Sequence, residues 1–429
     1  MGAKLVAILA CLRRDAHRPT NRALHPVTWR QQPPVLSPVS PRSLVGALAS
    51  SDELQRRCHE QLGAALVGRY RAADGLLTDS GTSALVLALR ALVKPGGIVA
   101  YPAYACIDLT AAAVRAGVRV RLYDLDPSTL SPDLDSVRRV LKRGADAIVV
   151  VHFFGYPADI VAVRAEALTY GTSVIEDAAQ GASGRIGNDL VGSFGDVSVL
   201  SFGRGKGITG GHGGAILVRR PDLVPWLTKV RNGFGQIPRG GREVVALAGQ
   251  WTLSHPLLYR IPASIPALKL GEMVYQAAGE PAPMPGTAAT ILVTALNMEA
   301  HSLELRRARA NELLSALGDE QPCLVPVSAI PRAAPGYLRL AVLDRCGAAV
   351  PATAFGAVRP YPLTLAQHRQ LEPQLLAGER AGPGALFLRD RLFTVPTHAK
   401  VDARDVRRIA GWLNGGGESG PPSDRARAS

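Results

Sequence analysis

Lys206 has the clearest chemical potential in this 429-residue chain, because it lies in a glycine-rich segment between two predicted strands. Glycines let the backbone approach a ligand closely. A lysine amine whose pKa is lowered can attack a carbonyl carbon and form a Schiff base. The segment could instead hold an anion such as a nucleotide phosphate, although it lacks the Walker A pattern GxxxxGK[ST]. It runs Ser201-Phe202-Gly203-Arg204-Gly205-Lys206-Gly207-Ile208-Thr209-Gly210-Gly211-His212-Gly213-Gly214.

A second cluster of functional residue types begins a predicted helix directly after a short strand. Gly81 is surrounded there by Ser80, Thr82 and Ser83. A helix N-terminus offers free N–H groups and the positive end of the helix dipole, which suit a phosphate. Serine and threonine at such a place can also be ordinary helix caps. Gly81, Thr82 and Ser83 are therefore candidate phosphate-binding residues.

A third cluster places two acids, Glu176 and Asp177, at the end of an apolar strand. A carboxylate there can pair with the protonated ring nitrogen of pyridoxal phosphate (PLP), whose pyridine ring stabilises a carbanion. A helix cap or a structural ion pair would explain Asp177 equally well. Strand alternation points Glu176 to the opposite face.

These clusters need elements that bring them to one edge of a sheet. Val/Ile-rich strands alternate with helices from about residue 76 to 218, which predicts a mostly parallel sheet covered on both faces, with ligands at the carboxyl ends of its strands. The domain prediction is an extended basic arm (1–43), a large domain (44–290) with an irregular crossover at 234–290, a small α+β domain (291–414) and a disordered tail (415–429). The predicted strands are 76–78, 98–101, 119–124, 147–154, 173–176, 197–202, 215–218 and 337–343, and the predicted helices are about 83–92, 109–116, 134–142, 160–170, 299–317 and 405–413, with a further helix after Ser50.

Composition excludes several classes of protein. Hydrophobic residues make up 47% and charged residues 20%, which is typical of a globular chain. The net charge of +14 invites a nucleic-acid interpretation, but no nucleic-acid-binding signature accompanies it. Five scattered cysteines without a CxxC pair argue against a disulfide framework and against zinc, so no metal is expected. No apolar run is long enough to span a bilayer, and a signal peptide is not evident, so we expect a cytoplasmic protein without membrane or nucleic-acid partners.

Taken in order, the motifs resemble those of the DegT/StrS family of PLP-dependent sugar aminotransferases. The resemblance runs from about residue 34 to 413 and implies the aspartate-aminotransferase-type (type I) PLP fold, with PLP between the large and small domains. It rests on Ser80-Gly81-Thr82, His152-Phe153-Phe154-Gly155, Glu176-Asp177-Ala178-Ala179-Gln180, Gly192-Ser193-Phe194-Gly195-Asp196, Ser201-Phe202, Lys206, Gly213-Gly214, Arg231-Asn232-Gly233, Tyr361-Pro362-Leu363 and Val395-Pro396-Thr397-His398.

The resemblance implies a role for each matching residue. Lys206 would be the Schiff-base lysine, Asp177 would pair with the pyridine nitrogen, and Gln180 would lie near the ring hydroxyl. Asn232 would reach the phosphate bound by the partner subunit, because sites of the family form at a homodimer interface. The phosphate would be held by Gly81, Thr82, Ser83 and Ser201.

The chain departs from the family pattern at three places. Where relatives stack an aromatic or histidine ring on PLP, this chain has Cys106, and Tyr104 is the alternative ring contact. The glutamate that usually precedes the paired glycines is His212 here. The family's Asn-x-Arg-Met segment is not recognisable in 234–290, which leaves the acceptor pocket less defined than the cofactor site.

The implied activity is transfer of an amino group from glutamate or glutamine to a keto sugar, nucleotide-linked, or to a cyclitol ketone. A PLP-dependent sugar dehydratase is an alternative, but the family's dehydratases carry histidine where this chain has Lys206. A non-catalytic, PLP-binding regulatory or scaffold homodimer is a second alternative, favoured by the altered position at Cys106.

Overall fold

A seven-stranded sheet forms the centre of the protein in the computed structural model, which describes residues 30–265, 274–317, 323–347, 349 and 352–415. The strand order is β1-β11-β10-β7-β6-β2-β3, and only β11 runs antiparallel to its neighbours. The strands are β1 (Asp74–Thr78), β2 (Ile98–Pro102), β3 (Arg119–Tyr123), β6 (Ala147–Val151), β7 (Ser173–Asp177), β10 (Val197–Ser201) and β11 (Gly214–Val218). Two short antiparallel pairs form outside this sheet: β4 (Leu125–Asp126) with β5 (Ser131–Pro132), and β8 (Arg185–Ile186) with β9 (Asp189–Leu190).

Helices connect these strands and continue into the small domain. The sheet is buried on both faces, as the wholly apolar β6 requires. This architecture confirms the predicted fold class. The helices are α1 (Pro41–Ala49), α2 (Asp52–Arg69), α3 (Gly81–Leu92), α4 (Asp108–Ala116), α5 (Leu134–Lys142), α6 (Ile160–Thr169), α7 (Val224–Gly233), α8 (Arg242–Leu253), α9 (Arg260–Ala263), α10 (Gly286–Asn297), α11 (Glu299–Ser315), α12 (Pro383–Arg391) and α13 (Ala403–Asn414).

The small domain is a three-stranded antiparallel sheet covered by helices. Its strands are β12 (Leu324–Pro326), β14 (Arg339–Asp344) and β15 (Leu392–Pro396), while β13 (Ala333–Ala334) pairs with β8. α11 and α13 pack together over a separate apolar core that includes Leu340, Phe393 and Trp412. A disulfide joins Cys323 to Cys346, whose Cα atoms are 5.0 Å apart. The scattered cysteine spacing did not predict this bond.

Three predictions need correction. Residues 234–290 are not irregular throughout, because α8, α9 and α10 begin inside them; proline and glycine suggested loops, but apolar residues such as Val244 and Leu247 keep a helical spacing and are buried. The strand predicted over 147–154 ends at Val151, and a 3₁₀ turn follows. The helix predicted after Ser50 starts one residue later, with Ser51 as its cap.

The arm predicted over 1–43 is described only from Arg30 onward. Its described part is extended up to Ser40, and α1 then begins at Pro41 with Ser40 as its cap. Residues 1–29 and the predicted disordered tail beyond 415 lie outside the described residues.

Candidate functional site

The three predicted clusters meet at one edge of the central sheet. Asp177 is the last residue of β7 and pairs with Val199 of β10. Ser201 ends β10 and Thr78 ends β1, and both pair with Gly214, the first residue of β11. The carboxyl ends of β1, β7 and β10 therefore form a single site.

The start of α3 provides a turn with free N–H groups at this edge. The Ser80 hydroxyl caps the helix by accepting from the Ser83 N–H at 3.0 Å. Gly81 is packed so closely that a Cβ atom on it would be 2.7 Å from Ser201 Cβ and 2.8 Å from Ser201 Oγ. The structure thus brings Gly81, Ser83 and Ser201 together, with Thr82 in the same first helical turn.

Asp177 is buried at the centre of the edge. Its Oδ1 accepts from the Ala179 N–H at 2.9 Å, and no described residue donates a hydrogen bond to its Oδ2. Burial raises the pKa of the Asp177 carboxyl, although the Ala179 amide and the positive charge of Lys206 oppose this shift. A desolvated carboxylate with one free oxygen is suited to a cationic ring partner.

Glu176 points away from this site, as strand alternation predicts. Its carboxylate accepts hydrogen bonds from His152 Nε2 at 2.9 Å, from the Ser198 hydroxyl and from three backbone amides of residues 192–195. Burial alone would raise the pKa of Glu176, but the hydrogen bonds and the His152 and Arg219 charges lower it to about 2. Glu176 therefore fixes the Gly192–Asp196 turn and takes no part in the site.

Lys206 projects from a loop whose two ends are fixed by the β10–β11 pairing. Gly205 has a φ of +75°, and a Cβ on Gly207 would be 2.8 Å from Ala182 Cα, so only glycine fits beside the lysine at these positions. The Lys206 amine forms no hydrogen bond or ion pair with any described residue. Its charge is close enough to influence the pKa values of Asp177 and of the Cys106 thiol.

The described part of the arm also contacts the lysine loop, which the sequence did not indicate. The buried Ser37 hydroxyl accepts from the Gly205 N–H at 2.9 Å and donates to Gln250. Val35 lines a small cavity together with Lys206, Arg306 and His398. We call the cluster of Gly81, Ser83, Asp177 and Ser201 the strand-end side of the Lys206 pocket, and residues 30–40 with Arg306 and His398 the arm side.

The arm is attached to the small domain by polar contacts. Arg30 pairs with Asp405 at 2.6 Å, and Gln32 donates to the same carboxylate. His398 Nε2 donates to the Pro33 carbonyl at 2.9 Å. Burial lowers the pKa of His398 to about 4. No short sequence motif predicts these contacts, because the two residues of each pair are more than 300 positions apart in the chain.

A cluster of aromatic rings lies around the Gln180 side chain. The Gln180 side chain accepts from the Phe154 N–H at 3.3 Å and donates to the Tyr361 hydroxyl at 2.8 Å. Phe154 has a φ of +53°, a strained value for a buried phenylalanine of the kind that gathers at functional sites. The Tyr104 ring lies 5.1 Å from that of Tyr361, and its hydroxyl is buried without a partner among the described residues.

The charge of Lys206 influences Cys106 but not Tyr104. Burial and Asp108 raise the pKa of the Cys106 thiol, and the Lys206 charge opposes them, whereas no such influence reaches Tyr104. The thiol is 3.3 Å from Asp108 Oδ2. That a thiol takes the position at which relatives stack a ring stays a prediction.

Asn232 lies apart from the other predicted residues. It is exposed in the last turn of α7, and its neighbour Arg231 pairs with Asp74 at 2.7 Å. Asp74 begins β1, whereas the phosphate-type turn follows the other end of that strand. Asn232 is thus remote from the pocket of its own chain. His212 is exposed as well.

Within the described ranges, no three His, Cys, Asp or Glu side chains are placed to hold a metal ion. Likewise, the helices of this part of the chain include none that is long and apolar enough to cross a membrane.

Sequence comparison matches residues 53–326 to a family model described as the DegT/DnrJ/EryC1/StrS aminotransferase family. A UDP-N-acetyl-3-dehydro-alpha-D-glucosamine 3-aminotransferase of Acidithiobacillus ferrooxidans is 34% identical over 173 residues, 40% of this chain and 47% of that protein. An L-glutamine:2-deoxy-scyllo-inosose aminotransferase of Streptomyces kanamyceticus is 30% identical over 209 residues, 48% of this chain and 49% of that protein. The chain thus spans about half the length of the curated relatives it matches.

Solved structures share the fold over nearly the whole chain. DesV of S. venezuelae aligns with a TM-score of 0.69 and 20% identity, covering 89% of this chain and 94% of that one. The E. coli GDP-4-keto-6-deoxy-D-mannose-3-dehydratase aligns with the same TM-score and 14% identity, covering 90% and 99%. The aminotransferase TlmJ of Streptoalloteichus hindustanus aligns with a TM-score of 0.68 and 20% identity, covering 90% and 98%. The fold is therefore common to transferases and dehydratases and does not choose between them.

Proposed function

Because the chain belongs to the DegT/DnrJ/EryC1/StrS aminotransferase family, we propose that it is a PLP-dependent aminotransferase. Its amino donor is glutamate or glutamine, and its acceptor is a keto sugar, nucleotide-linked, or a cyclitol ketone. The observation that carries the proposal is the Lys206 amine, which has no partner among the described residues and influences the pKa of Asp177 on the strand-end side of the pocket. The names of the relatives, which include a UDP-sugar and an inosose aminotransferase, support both acceptor classes.

The residues at the pocket fit PLP. The cofactor needs an anion cradle, a carboxylate for its ring nitrogen and an amine for its aldehyde. The first turn of α3 with Ser201 supplies the cradle, and Gly81 lets Ser201 approach that turn more closely than a residue with a Cβ would allow. Among the described residues, none donates a hydrogen bond to the second carboxylate oxygen of Asp177, and none pairs with the Lys206 amine.

When bound, PLP supplies an electron sink for the pair of electrons left on the donor α-carbon. The Lys206 amine would hold the cofactor at its aldehyde carbon. As a free amine, Lys206 would take the donor α-proton as a general base and return a proton as a general acid. The buried carboxylate of Asp177 would keep the ring nitrogen protonated. Gln180, which is bonded to Phe154 and Tyr361, would lie near the ring hydroxyl.

The proposal includes a homodimer. Asn232 is exposed and remote from its own pocket, which fits a role at the phosphate site of a second copy. Arg231 fixes the end of α7 against β1 and so presents Asn232 on the surface. A crosslink between a cysteine at position 232 and one at position 82 would appear only between two chains.

Dehydration is the competing activity within this fold. It is disfavoured here by the lysine at position 206, since resemblance to the family's dehydratases would place histidine there. The two activities separate in a half-reaction: an aminotransferase converts its cofactor to the amine form with glutamate or glutamine alone, without any sugar.

Purified protein loaded with PLP should absorb visible light, and Lys206→Ala should lose that absorbance. Lys229→Ala is the matched control, because Lys229 is exposed on α7. Stopped-flow spectra with glutamate and with glutamine should show conversion to the amine form in wild type and in the control. A wild-type protein that cannot be reconstituted with PLP would contradict the cofactor assignment, and a coloured protein inert to both donors would contradict transamination.

A further inference from the structure

The Tyr101 hydroxyl is a buried donor without a hydrogen-bond partner among the described residues. Tyr101 lies in β2, and 0% of its surface is exposed. The buried Tyr123, by contrast, donates to the Val149 carbonyl at 2.6 Å. A buried hydroxyl that makes no hydrogen bond costs free energy. The Tyr101 hydroxyl is therefore expected to bond to a water molecule or a ligand.

The strand register places Tyr101 on the same face of the sheet as Asp177. β2 and β6 pair in parallel, and continuing their register by one residue sets Tyr101 level with Val149. Val149 pairs with Ile175 of β7, and Asp177 follows Ile175 by two residues and shares its face. With strands about 4.8 Å apart and about 3.3 Å per residue, the Cα atoms of Tyr101 and Asp177 are about 12 Å apart. A tyrosine and an aspartate side chain together can span most of that distance.

Asp177 has the acceptor that matches this donor. Its Oδ1 accepts from the Ala179 N–H, and no described residue donates to its Oδ2. A carboxylate oxygen has more than one acceptor position, so Oδ2 can accept from a water molecule as well as from the ring nitrogen of the proposed cofactor. Burial raises the pKa of the Tyr101 hydroxyl, and the charge of Asp177 raises it further. The two groups therefore influence each other, although no hydrogen bond joins them directly.

Two other buried hydroxyls in this part of the chain also lack a partner among the described residues, those of Tyr104 and Thr110. Tyr104 lies beyond the end of β2, its ring is 5.1 Å from that of Tyr361, and the charge of Asp177 does not act on it. Thr110 belongs to α4 and not to the sheet. Of these three hydroxyls, only that of Tyr101 is placed by strand register on the face of Asp177.

We propose that Tyr101 is a positioning residue for Asp177, and that one buried water molecule accepts from the Tyr101 hydroxyl and donates to Oδ2. Water commonly joins polar groups that face each other beyond direct hydrogen-bond distance. A donor at Oδ2 stabilises the ionised carboxylate against the effect of burial. The ionised form is the one that can hold a ring nitrogen protonated. The inference rests on the proposed aminotransferase function for this effect on the cofactor, but not for the contact itself.

The other groups that act on Asp177 come from the elements packed around it. Lys206 of the glycine-rich loop and His152, directly after β6, lower the pKa of the carboxyl, whereas burial and Asp108 of α4 raise it. Tyr123 of β3 is in turn influenced by the charge of Asp177. Removal of a single hydroxyl from β2 leaves all of these groups in place. A change in pH dependence after that removal therefore reports the contribution of the hydroxyl.

The contact is tested first in the protein without cofactor, by a double-mutant cycle between Tyr101→Phe and Asp177→Ala. Urea unfolding at neutral pH measures the unfolding equilibrium constant of wild type and of each variant. The factor by which Tyr101→Phe raises this constant should be about 3- to 10-fold smaller when residue 177 is alanine. Tyr156→Phe is the matched control, because its hydroxyl accepts from the Ala341 N–H and should matter equally in both backgrounds. Additive effects of Tyr101→Phe and Asp177→Ala would overturn the proposal.

A crystal structure of the wild-type protein decides the question if a variant fails to fold. It should show one water molecule within hydrogen-bond distance of the Tyr101 hydroxyl and of Asp177 Oδ2. The two oxygen atoms without a shared water molecule would overturn the proposal.

The protein loaded with PLP gives a second readout. Without the hydroxyl, the pKa of Asp177 should rise, so the acid limb of the half-reaction rate with glutamate should move to higher pH in Tyr101→Phe. The rate at saturating glutamate should fall about 3- to 10-fold, while the half-saturating concentration stays unchanged. The pH profile of Tyr156→Phe should follow wild type. A profile of Tyr101→Phe that coincides with wild type would contradict a role in positioning Asp177.

The two experiments separate this inference from the proposed function. If the loaded protein transaminates and the cycle is additive, the Tyr101 inference is wrong and the proposed function stands. If the cycle shows coupling but neither glutamate nor glutamine converts the cofactor, the contact stands and the proposal of transamination is wrong.

Discussion

The strand-end side and the arm side of the Lys206 pocket are held by contacts of very different reach along the chain. On the strand-end side, Ser80 caps a residue three positions away and Asp177 bonds to one two positions away. On the arm side, Ser37 reaches Gly205 across 168 residues and Arg30 reaches Asp405 across 375. The same lysine loop lies between a locally built surface and one assembled from distant segments.

We infer from this difference that the strand-end side determines cofactor chemistry and that the arm side determines how the distant segments assemble. The strand-end residues are positioned by the sheet and by their own helix caps, so a substitution there should change cofactor chemistry while the fold persists. The arm-side residues join the arm, the lysine loop and the small domain, so a substitution there should change stability first. Three variants test the comparison.

Asp177→Asn should have the largest effect. Losing the carboxylate that keeps the ring nitrogen protonated should slow the glutamate half-reaction by about 10²–10³-fold, the range found when one electrostatic stabiliser is removed. PLP binding should persist, because the phosphate cradle and Lys206 are unchanged. Stopped-flow absorbance measures the rate.

Asp159→Asn is the control for that variant. Asp159 caps α6 by accepting from the Ala162 N–H, and asparagine caps equally well. A half-reaction in Asp177→Asn that runs at the rate of this control would show that the strand-end side does not tune the cofactor.

His398 should give the arm side a dependence on pH. Nε2 donates to the Pro33 carbonyl, so a second proton would have to enter at Nδ1, which is buried without a partner among the described residues. The folded pKa of about 4 is below the unfolded value of 6.5, so the unfolded chain binds more protons between these limits. His398 should therefore cost about 3 kcal/mol of stability as the pH falls from 6.5 to 4.

Urea unfolding of wild type and His398→Gln at several pH values measures this effect. Glutamine can keep the bond to Pro33 without titrating, so the variant should lose less stability in acid. The exposed His301→Gln should follow wild type. Parallel pH profiles for His398→Gln and wild type would mean that His398 does not limit the acid stability of the arm side.

Gly81→Ala should have the smallest of the three effects. The added methyl would be 2.7 Å from Ser201 Cβ, so Ser201 must shift away from the phosphate cradle. Overpacking of this kind costs about 1–3 kcal/mol, and a tenfold loss of affinity corresponds to about 1.4 kcal/mol. Gly81→Ala should therefore weaken PLP binding by about 5- to 100-fold. Fluorescence titration of the apo-protein with PLP measures the affinity.

Gly68→Ala in α2 is the matched substitution, because nothing lies within 4 Å of its added methyl. It should leave PLP affinity unchanged and stabilise the helix by up to about 1 kcal/mol. Equal PLP affinities in the two alanine variants would contradict the assignment of Gly81 to the phosphate cradle.

The sequence predicts the strand-end side well, because local patterns determine it. Apolar strands followed by Ser80–Ser83 and by Asp177 place these groups at one sheet edge, and alternation separates Glu176 from Asp177. The parallel order follows from strands that alternate with helices. Residue type and position in the sequence are enough to predict where a side chain lies when its own strand or helix determines that place.

The arm side could not be predicted in this way. Ser37 and Arg306 have no neighbours in sequence that mark them, and their roles depend on which distant elements pack together. The helices α8 and α10 are not predicted for a different reason. Proline and glycine in the segments around them indicate loops, and this signal is stronger than the helical spacing of the apolar residues inside them. A buried polar residue is recognised only when its partner, or the absence of one, is seen in three dimensions.

The pairing of Arg30 with Asp405 has a consequence for synthesis on the ribosome. At about 5–20 residues per second, the partner of Arg30 is made roughly 20–75 s after Arg30 itself. The partners of Ser37, Gly205 and Gln250, are made well before that moment. The arm can therefore contact the lysine loop first and can be joined to the small domain only after nearly all of the chain has been translated.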